Sequence, residues 1–569
     1  MKTETLRQVA LWPPVLLLAL VSVSSCCRQA ASTECGSPPF VPGHNLVGEG
    51  FDIVHMKTTG AFVVDMQTYV SGGAHGNCTV CTNSLLGQKE QKIPAAVTDW
   101  RVKVNCKRSI QAKVFESSIS VVQESTSTTS LGWKVGLGIP LVAGVAVGGT
   151  LSKSSKFAQE HSTKDKYFYT SHKFSCSYYS LRVRTNPPLT KEFLGSIQAL
   201  PQAFNNQSKP AFQHFISVYG THFLRQVNLG GLVHSTTAVR TCEVSMKGLS
   251  VHDIGICLSR EASANIEGVE VKGQASFCHQ RSKKLERGKN FSGSFMDRVT
   301  KVLGGAGGNA DLLFSPGKQN GYAAWLKELK TSPGVVSYRL LSLHMLVKND
   351  GVRRAALGQA ITDYIVSNRM VQSCSSKCKT GHRSPQCSCK CGGHGKISSD
   401  CCPTEPGVAE LTVTVLRASG LWGDYFSKTD GYVKVFYDKK SDMTPVIWNN
   451  NFPQWNHVVR FGTVDLTKRV SLKLEVWDRD NRWDDDRLGS GTLIPKNEKN
   501  KKHQIRLKHG MLFFSINASC APHLEGEFCQ SYSASPESSG RLTYAEELRN
   551  PPYTFLQEKN AGARGHGVL

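Results

Sequence analysis

The chain has 569 residues, with 68 Lys and Arg against 44 Asp and Glu, a net charge of +24 and a mean hydropathy of −0.27. That length exceeds one ordinary core and predicts two or three domains, and the composition excludes a disordered chain. The Lys and Arg residues are scattered and no basic helix carries interleaved aromatics, so the charge suits an anionic membrane or a soluble basic surface and argues against nucleic acid as partner.

At the N-terminus, Lys2 and Arg7 precede an apolar run from Val9 to Val23, broken by Pro13 and Pro14 and followed by Ser24 and Ser25. This layout predicts a secretory signal peptide over residues 1–26. No later stretch supplies the roughly 20 uninterrupted apolar residues of a spanning helix. Of 19 cysteines, Cys26 falls at the predicted cleavage point, which leaves an even number to pair in an oxidising compartment. Sequons at Asn77, Asn206, Asn290 and Asn517 are glycosylation candidates there.

A large first part is predicted over residues 27–373. It mixes a helical pattern from Asp350 to Met370 with strand-like runs from Phe62 to Val70 and Leu224 to Val239, an α+β mixture. Two stretches alternate in period two. In the first, Leu131, Trp133, Val135, Leu137, Ile139, Leu141, Ala143, Val145 and Val147 are apolar, with Gly132, Gly136, Gly138, Gly144 and Gly148 between them. A helix would lose about 1 kcal/mol at each such glycine, so the pattern predicts extended chain. In the second, Val269, Val271, Ala275 and Phe277 alternate with polar residues. A two-faced strand suits a barrel wall between lipid and water or a half-buried strand in a soluble sheet, and the pattern leaves both open.

The cysteine-dense block 374–402 has no room for a core and must be stapled by disulfides; its spacing resembles an EGF-like module. Secretion and the lack of histidines at finger spacing disfavour zinc. Over residues 408–520 the alternation of Leu411, Val413 and Val415, then Val470, Leu472, Leu474 and Val476, predicts an all-β antiparallel sandwich. A C-terminal tail is predicted over residues 521–569; after Phe528 it is rich in Ser, Gly, Pro and charge and is expected to be loosely ordered.

Two Asp-rich loops punctuate the sandwich. Asp424 and Asp430 bracket the first, and Asp478, Asp480, Asp484, Asp485 and Asp486 crowd the second. Neighbouring carboxylates raise one another's pKa unless a cation stands between them, and Ca2+ accepts about six to eight oxygen ligands in flexible geometry. An isolated Asp run is more often a solvated turn, but two such loops in one sandwich favour a metal site. Trp422, Tyr425, Phe426 and Trp483 stand among these acids, which predicts contact with a phospholipid surface when calcium is present.

The segment Tyr219-Gly220-Thr221-His222-Phe223 resembles the signature of the membrane attack complex/perforin family. Gly230-Gly231, Arg240-Thr241-Cys242 and Gly304-Gly305 follow at family spacing, and EGF-like and C2-like blocks come in the family order. The resemblance spans essentially the whole chain after the signal peptide. It implies a bent antiparallel sheet of four strands carrying two helical clusters, with inserting regions near residues 113–184 and 244–302 that contain both period-two stretches. Each cluster is stored as short helices and refolds into an amphipathic hairpin, and a ring-shaped homo-oligomer closes the hairpins into a large barrel, since lipid cannot satisfy open sheet edges.

The glycine pairs would lie at the sheet bend, with His222 a packed structural residue beside them. The two Asp loops become the first and third calcium loops, with carbonyls of Gly423, Ser427 and Lys428 as further ligands, and Trp422, Tyr425 and Trp483 enter the headgroup region. Storage in cytolytic granules and action on a target-cell membrane follow from the same resemblance. The family places an arginine and a glutamate that join neighbouring subunits where this chain has His214 and Leu341. No nucleophile–base pair is evident, so an enzyme is not expected. The rival reading is a calcium-dependent lipid-binding or adhesion protein that does not perforate.

Overall fold

A computed structural model describes residues 26–544 apart from 73–75, 128–129, 140–141, 143–144, 267–272, 287, 307–310, 315–318, 375–377, 379–380, 386, 393–394, 424, 481–483 and 536–540. In chain order, β1 (Val97–Cys106) and β2 (Gln111–Phe115) lead into α1 (Ser118–Ser127) and α2 (Lys153–Ser162). Next come β3 (Tyr167–Val183), α3 (Lys209–Tyr219), β4 (His222–Arg240), α4 (Val251–Ala264) and α5 (Ala275–Ser282). The first part closes with β5 (Arg298–Leu303), α6 (Gln319–Glu328), β6 (Gly334–Ser342) and α7 (Gly351–Ser367).

The frame is an antiparallel sheet of four lanes. β3 pairs with β4 from Tyr167–Arg240 to Arg182–Gln226. The outer edge of β3 carries β1 and β2, and that of β4 carries β6 and β5. The β3–β4 ladder slips between Ser177 and Tyr179, opposite Gly230, and such a bulge adds local twist. A Cβ on Gly230 would strike the Cys176 carbonyl, and one on Gly231 the Trp325 ring of α6. The missing side chains therefore let a strand and a helix press directly onto β4.

Helices cover the sheet for local reasons. In α3 the buried residues Phe212, Phe215, Ile216 and Tyr219 recur at helical spacing and join the sheet's core. α7 buries Ala356, Leu357, Ala360, Ile361 and Ile365, and the Asp350 carboxylate caps it by accepting from Arg353 N at 2.9 Å. α4 starts in a capping box: Asp253 N donates to Ser250 Oγ at 3.1 Å, and Ser250 N to Asp253 Oδ2 at 2.8 Å. The Cys257–Cys278 disulfide then ties α4 to α5.

Two sequence expectations need correction here. The run from Phe62 to Val70 is not a strand; a strand over Lys57–Phe62 ends where it begins. Val63 N and Val64 N both donate to the Gly48 carbonyl, at 2.9 and 3.1 Å, so the chain bends while Val63, Val64 and Met66 enter the core. The first period-two stretch is neither a long strand nor a stored helix. Short strands at Ser130–Leu131 and Val145–Ala146 flank a series of turns, in which Val135 N donates to Gly132 O and Leu137 N to Lys134 O, both at 3.1 Å. Turning every few residues buries Trp133, Leu137 and Ile139 without a ladder. Leu141 and Ala143, like Val269 and Val271 of the second stretch, lie outside the described residues. Ala275 and Phe277 of that second stretch are on α5, stored as helix.

After β7 (Met370–Ser373), the block's own disulfides are Cys374–Cys387, Cys378–Cys389 and Cys391–Cys401. Cys402 reaches back to Cys242 and fastens the block to the end of β4. The nine disulfides leave only Cys26 outside a pair. The sandwich comprises β8 (Val408–Ser419), β9 (Gly431–Tyr437), β10 (Lys440–Met443), β11 (Gln454–Asp465), β12 (Leu472–Asp478), β13 (Asp486–Leu493), β14 (Glu498–Arg506) and β15 (Met511–Cys520). Its two four-stranded sheets run β11-β8-β15-β14 and β10-β9-β12-β13. The inward residues of the period-two pattern, Leu411, Val413, Val415, Leu472, Leu474 and Val476, form its core.

The start of the tail also departs from expectation. Cys520 pairs with Cys529, and β16 (Arg541–Tyr544) adds to β7, which in turn pairs with Val145–Ala146. A buried carboxylate holds part of this segment: Asp165 is 1% exposed and must be satisfied internally. The Tyr532 hydroxyl and Ser535 N donate to it, and His523 Nδ1 lies 3.3 Å away. Among the described residues no helix is long and apolar enough to cross a membrane.

Candidate calcium and membrane-contact site

β9 and β12 are neighbours, and their register sets Gly431 opposite Asp478, at one end of the sandwich. Asp478 is 1% exposed, and its Oδ1 accepts from Asp430 N at 2.6 Å. Asp430 in turn accepts at Oδ1 from Asn449 N at 2.6 Å. Asp486 opens β13 directly opposite Asp478. Asp485 accepts from the Tyr432 hydroxyl at 2.6 Å; burial, then this carboxylate, push that phenol up to about 12, so it remains a donor at neutral pH. Asp480 and Asp484 are exposed beside them. Asp424 and Trp483 lie outside the described residues.

The donor set fits calcium in kind, being oxygen throughout. A Cβ on Gly423 would run into the Asp478 carboxylate, so the first loop closes over that acid only because residue 423 is glycine. Among the described residues no three acidic, His or Cys side chains converge on one point; the fold brings Asp430 and Asp478 together. Ser427 and Lys428 lie on the exposed arm of the first loop, where Lys428 N donates to Asn449 Oδ1 at 3.2 Å.

Around this end the aromatic side chains face outward. Tyr425 is 84% exposed and Phe426 fully so, while Trp422 packs edge-on against both Tyr425 and His509. Trp448 and Phe452, in the loop between β10 and β11, are also exposed. Sequence reading passed over this pair, although the run Ile447-Trp448-Asn449-Asn450-Asn451-Phe452 carries the same mix of aromatic and turn-forming residues.

The signature segment runs from the end of α3 into the start of β4. Tyr219 ends α3 with its hydroxyl 2.9 Å from Ser196 Oγ. Gly220 has a φ of +74, and a Cβ there would meet the Phe51 backbone at 2.6 Å. Thr221 Oγ1 accepts from Ile53 N at 3.1 Å, and Phe223 is buried. His222 is fully buried, with Nδ1 2.7 Å from Thr221 Oγ1 and Nε2 2.8 Å from the Trp133 carbonyl; burial pushes it down to about 4. The ring is thus a packed neutral group that ties the start of β4 to the turn at Trp133. Gly304 and Gly305 follow β5; a Cβ on Gly304 would meet the Gly230 carbonyl and one on Gly305 the Trp325 ring.

Of the sequons, Asn77 and Asn206 are exposed, Asn290 caps a short helix by accepting from Gly293 N at 2.7 Å, and Asn517 is half-buried on β15. His214 is exposed on α3 and Leu341 half-buried on β6.

A sheet whose paired strands are joined by helical inserts, followed by a disulfide block and an acidic-looped sandwich, defines a class of secreted proteins that bind membranes and perforate them. The MAC/Perforin domain model matches residues 39–374 and the C2 domain model residues 409–508. The chain is 38% identical to Perforin-1 of Homo sapiens over 89% of its own length and 93% of that protein. It is 36% identical to Perforin-1 of Mus musculus, covering 91% and 95%. The complement component C8 alpha chain of Oryctolagus cuniculus is 22% identical over 48% of this chain and 52% of its own. The chain belongs to the membrane attack complex/perforin family, and its function is that of a calcium-dependent, membrane-binding, pore-forming cytolytic protein.

Proposed function

We propose that the two inserts between paired strands, within residues 113–184 and 244–302, refold into amphipathic hairpins that extend the sheet through a bilayer. One observation carries this reading. The first insert joins β2 to β3, already paired at Phe115–Tyr169, and the second joins β4 to β5, paired at Thr237–Arg298. Both inserts leave the sheet at one end, where Tyr167 and Arg240 pair in the central ladder. Each hairpin therefore lengthens an existing antiparallel ladder without new strand crossings, and each arm needs only about 9–11 tilted residues to span. Neighbouring copies must supply the remaining edges, so the pore is a ring-shaped homo-oligomer.

The acids of the two loops, Asp424, Asp430, Asp478, Asp480 and Asp484 to Asp486, with carbonyls of Gly423, Ser427 and Lys428, would hold calcium, which when bound supplies positive charge against the loops' own. Gly423 keeps the first loop seated on Asp478, and Asp430 ties both loops to the loop at Asn449. Trp422, Tyr425 and Trp483 then enter the headgroup region of the target-cell membrane. We assign no catalytic step to the chain, and we place its storage before secretion in cytolytic granules, as the family resemblance implies.

The test is dye release from loaded liposomes with calcium, with chelator, and with Asp430→Ala plus calcium. Release is expected only in the first case. Calcium-dependent binding without release would leave a lipid-binding protein and defeat the hairpin reading.

A further inference from the structure

We infer that Trp448 and Phe452 form a second bilayer contact, locked to the calcium loops, and that phospholipid is their partner. The inference rests on the calcium-loop reading above. Five large aromatic side chains are exposed among the described residues: Trp422, Tyr425, Phe426, Trp448 and Phe452. All five lie in two adjacent loops at one end of the sandwich. Scattered exposed apolar residues are ordinary, but a concentration of this kind marks a contact surface.

The second loop is built as one piece with the first. Gly431 and Ile447 exchange both backbone hydrogen bonds, at 3.0 and 2.9 Å. Asn450 N donates to Thr429 O at 2.8 Å, and Leu421 N to Asn451 O at 3.0 Å. Asn449 N donates to the Asp430 carboxylate, so a proposed calcium ligand is bonded to the residue beside Trp448. Whatever brings Asp430 to a headgroup brings the Trp448 ring with it.

The chemistry of the loop fits lipid better than water or a charged protein surface. From Thr444 to Pro453 it carries no ionisable side chain. Its asparagine side-chain oxygens are engaged internally: Asn449 Oδ1 accepts from Lys428 N, Asn450 Oδ1 from Phe452 N at 2.7 Å, and Asn451 Oδ1 from Thr429 N at 3.0 Å. Entry into the interface thus strips water from two aromatic rings and desolvates no charge, which is favourable, whereas a charged loop would resist it. Continuity with Trp422, Tyr425 and Phe426 sets the occupant as the same bilayer those residues meet.

The full-length protein, with excess calcium, would be titrated with phosphatidylcholine vesicles and binding followed by co-sedimentation. Trp448→Ala and Phe452→Ala are each expected to weaken binding about tenfold, the double variant more, and Trp448→Phe to retain most of it. Both side chains are more than 60% exposed, so truncation removes little packing. A calcium-induced rise in Tm without lipid should persist in these variants, separating loss of lipid contact from loss of the loops. Double-variant binding within twofold of the parent overturns the inference. If instead Asp430→Ala binds normally while the double variant is impaired, the calcium assignment fails and the aromatic contact stands.

Discussion

Trp133→Ala tests whether the first proposed inserting region must peel away from the sheet. The Trp133 ring is 5% exposed, packs against Gly148 and stands edge-on to His222, with centroids 6.2 Å apart. Truncating a buried aromatic costs about 3–5 kcal/mol. The bond from His222 Nε2 survives, because it ends on the Trp133 main-chain carbonyl. If residues 131–139 leave the core before the hairpin forms, local opening becomes easier by that energy, and the opened population rises by about two to three and a half decades. A stable domain tolerates the loss, since total stability is about 5–15 kcal/mol. Calorimetry should show a lower Tm, and stopped-flow dye release at saturating calcium a shorter lag on membrane-bound protein. A lowered Tm with an unchanged lag would refute the reasoning, because the segment would then not be released at or before the slow step.

Stability should also fall in acid. Burial pushes His222, His234 and His344 each down to about 4, against about 6.5 when unfolded. Between those values the unfolded chain binds protons that the folded one does not. Stability is therefore full above about 6.5 and is lost as pH falls towards 4, by up to about 1.4 kcal/mol per pH unit for each group. Urea midpoints equal at pH about 7.5 and about 5 would contradict this. Gly304→Ala forces a Cβ onto a φ of +85, where it would also lie 2.9 Å from Gly334 N, and should cost at least about 2 kcal/mol in denaturant unfolding. A loss under about 0.5 kcal/mol would remove the close-packing account of this glycine. Tyr532→Phe takes a donor from the buried Asp165 carboxylate and should cost about 1.5–3 kcal/mol in thermal unfolding, with earlier proteolysis after residue 521. An unchanged Tm would show that the tail does not depend on this bond.

Much of the fold was legible because its signals are local. Period two placed Leu411, Val413 and Val415 inside the sandwich, and all three are fully buried. The run from Leu224 to Val239 lies within β4, and the helical pattern from Asp350 matches α7 to within a few residues. Cysteine parity singled out Cys26, and pairing bears this out. The same reasoning misplaced Leu131 to Val147, since alternation says which side chains share a face of extended chain and not whether the chain is extended. Turns that donate to Gly132 and Lys134 carbonyls bury alternate residues equally well. At the start of the tail, composition does not reveal that the buried Asp165 carboxylate accepts from Tyr532 and Ser535.

By itself, the sequence determined which segments alternate, where the carboxylates and aromatics cluster, and that the cysteines balance once Cys26 is set aside. These are properties of neighbouring residues, governed by strand periodicity, charge repulsion and covalent pairing. Only the tertiary structure decided that both inserts spring from one end of the sheet, that His222 holds the Trp133 carbonyl, and that the Asn449 loop is bonded to Asp430. Those facts depend on contacts between distant parts of the chain, where burial leaves each polar group one satisfactory partner and close approach selects glycine.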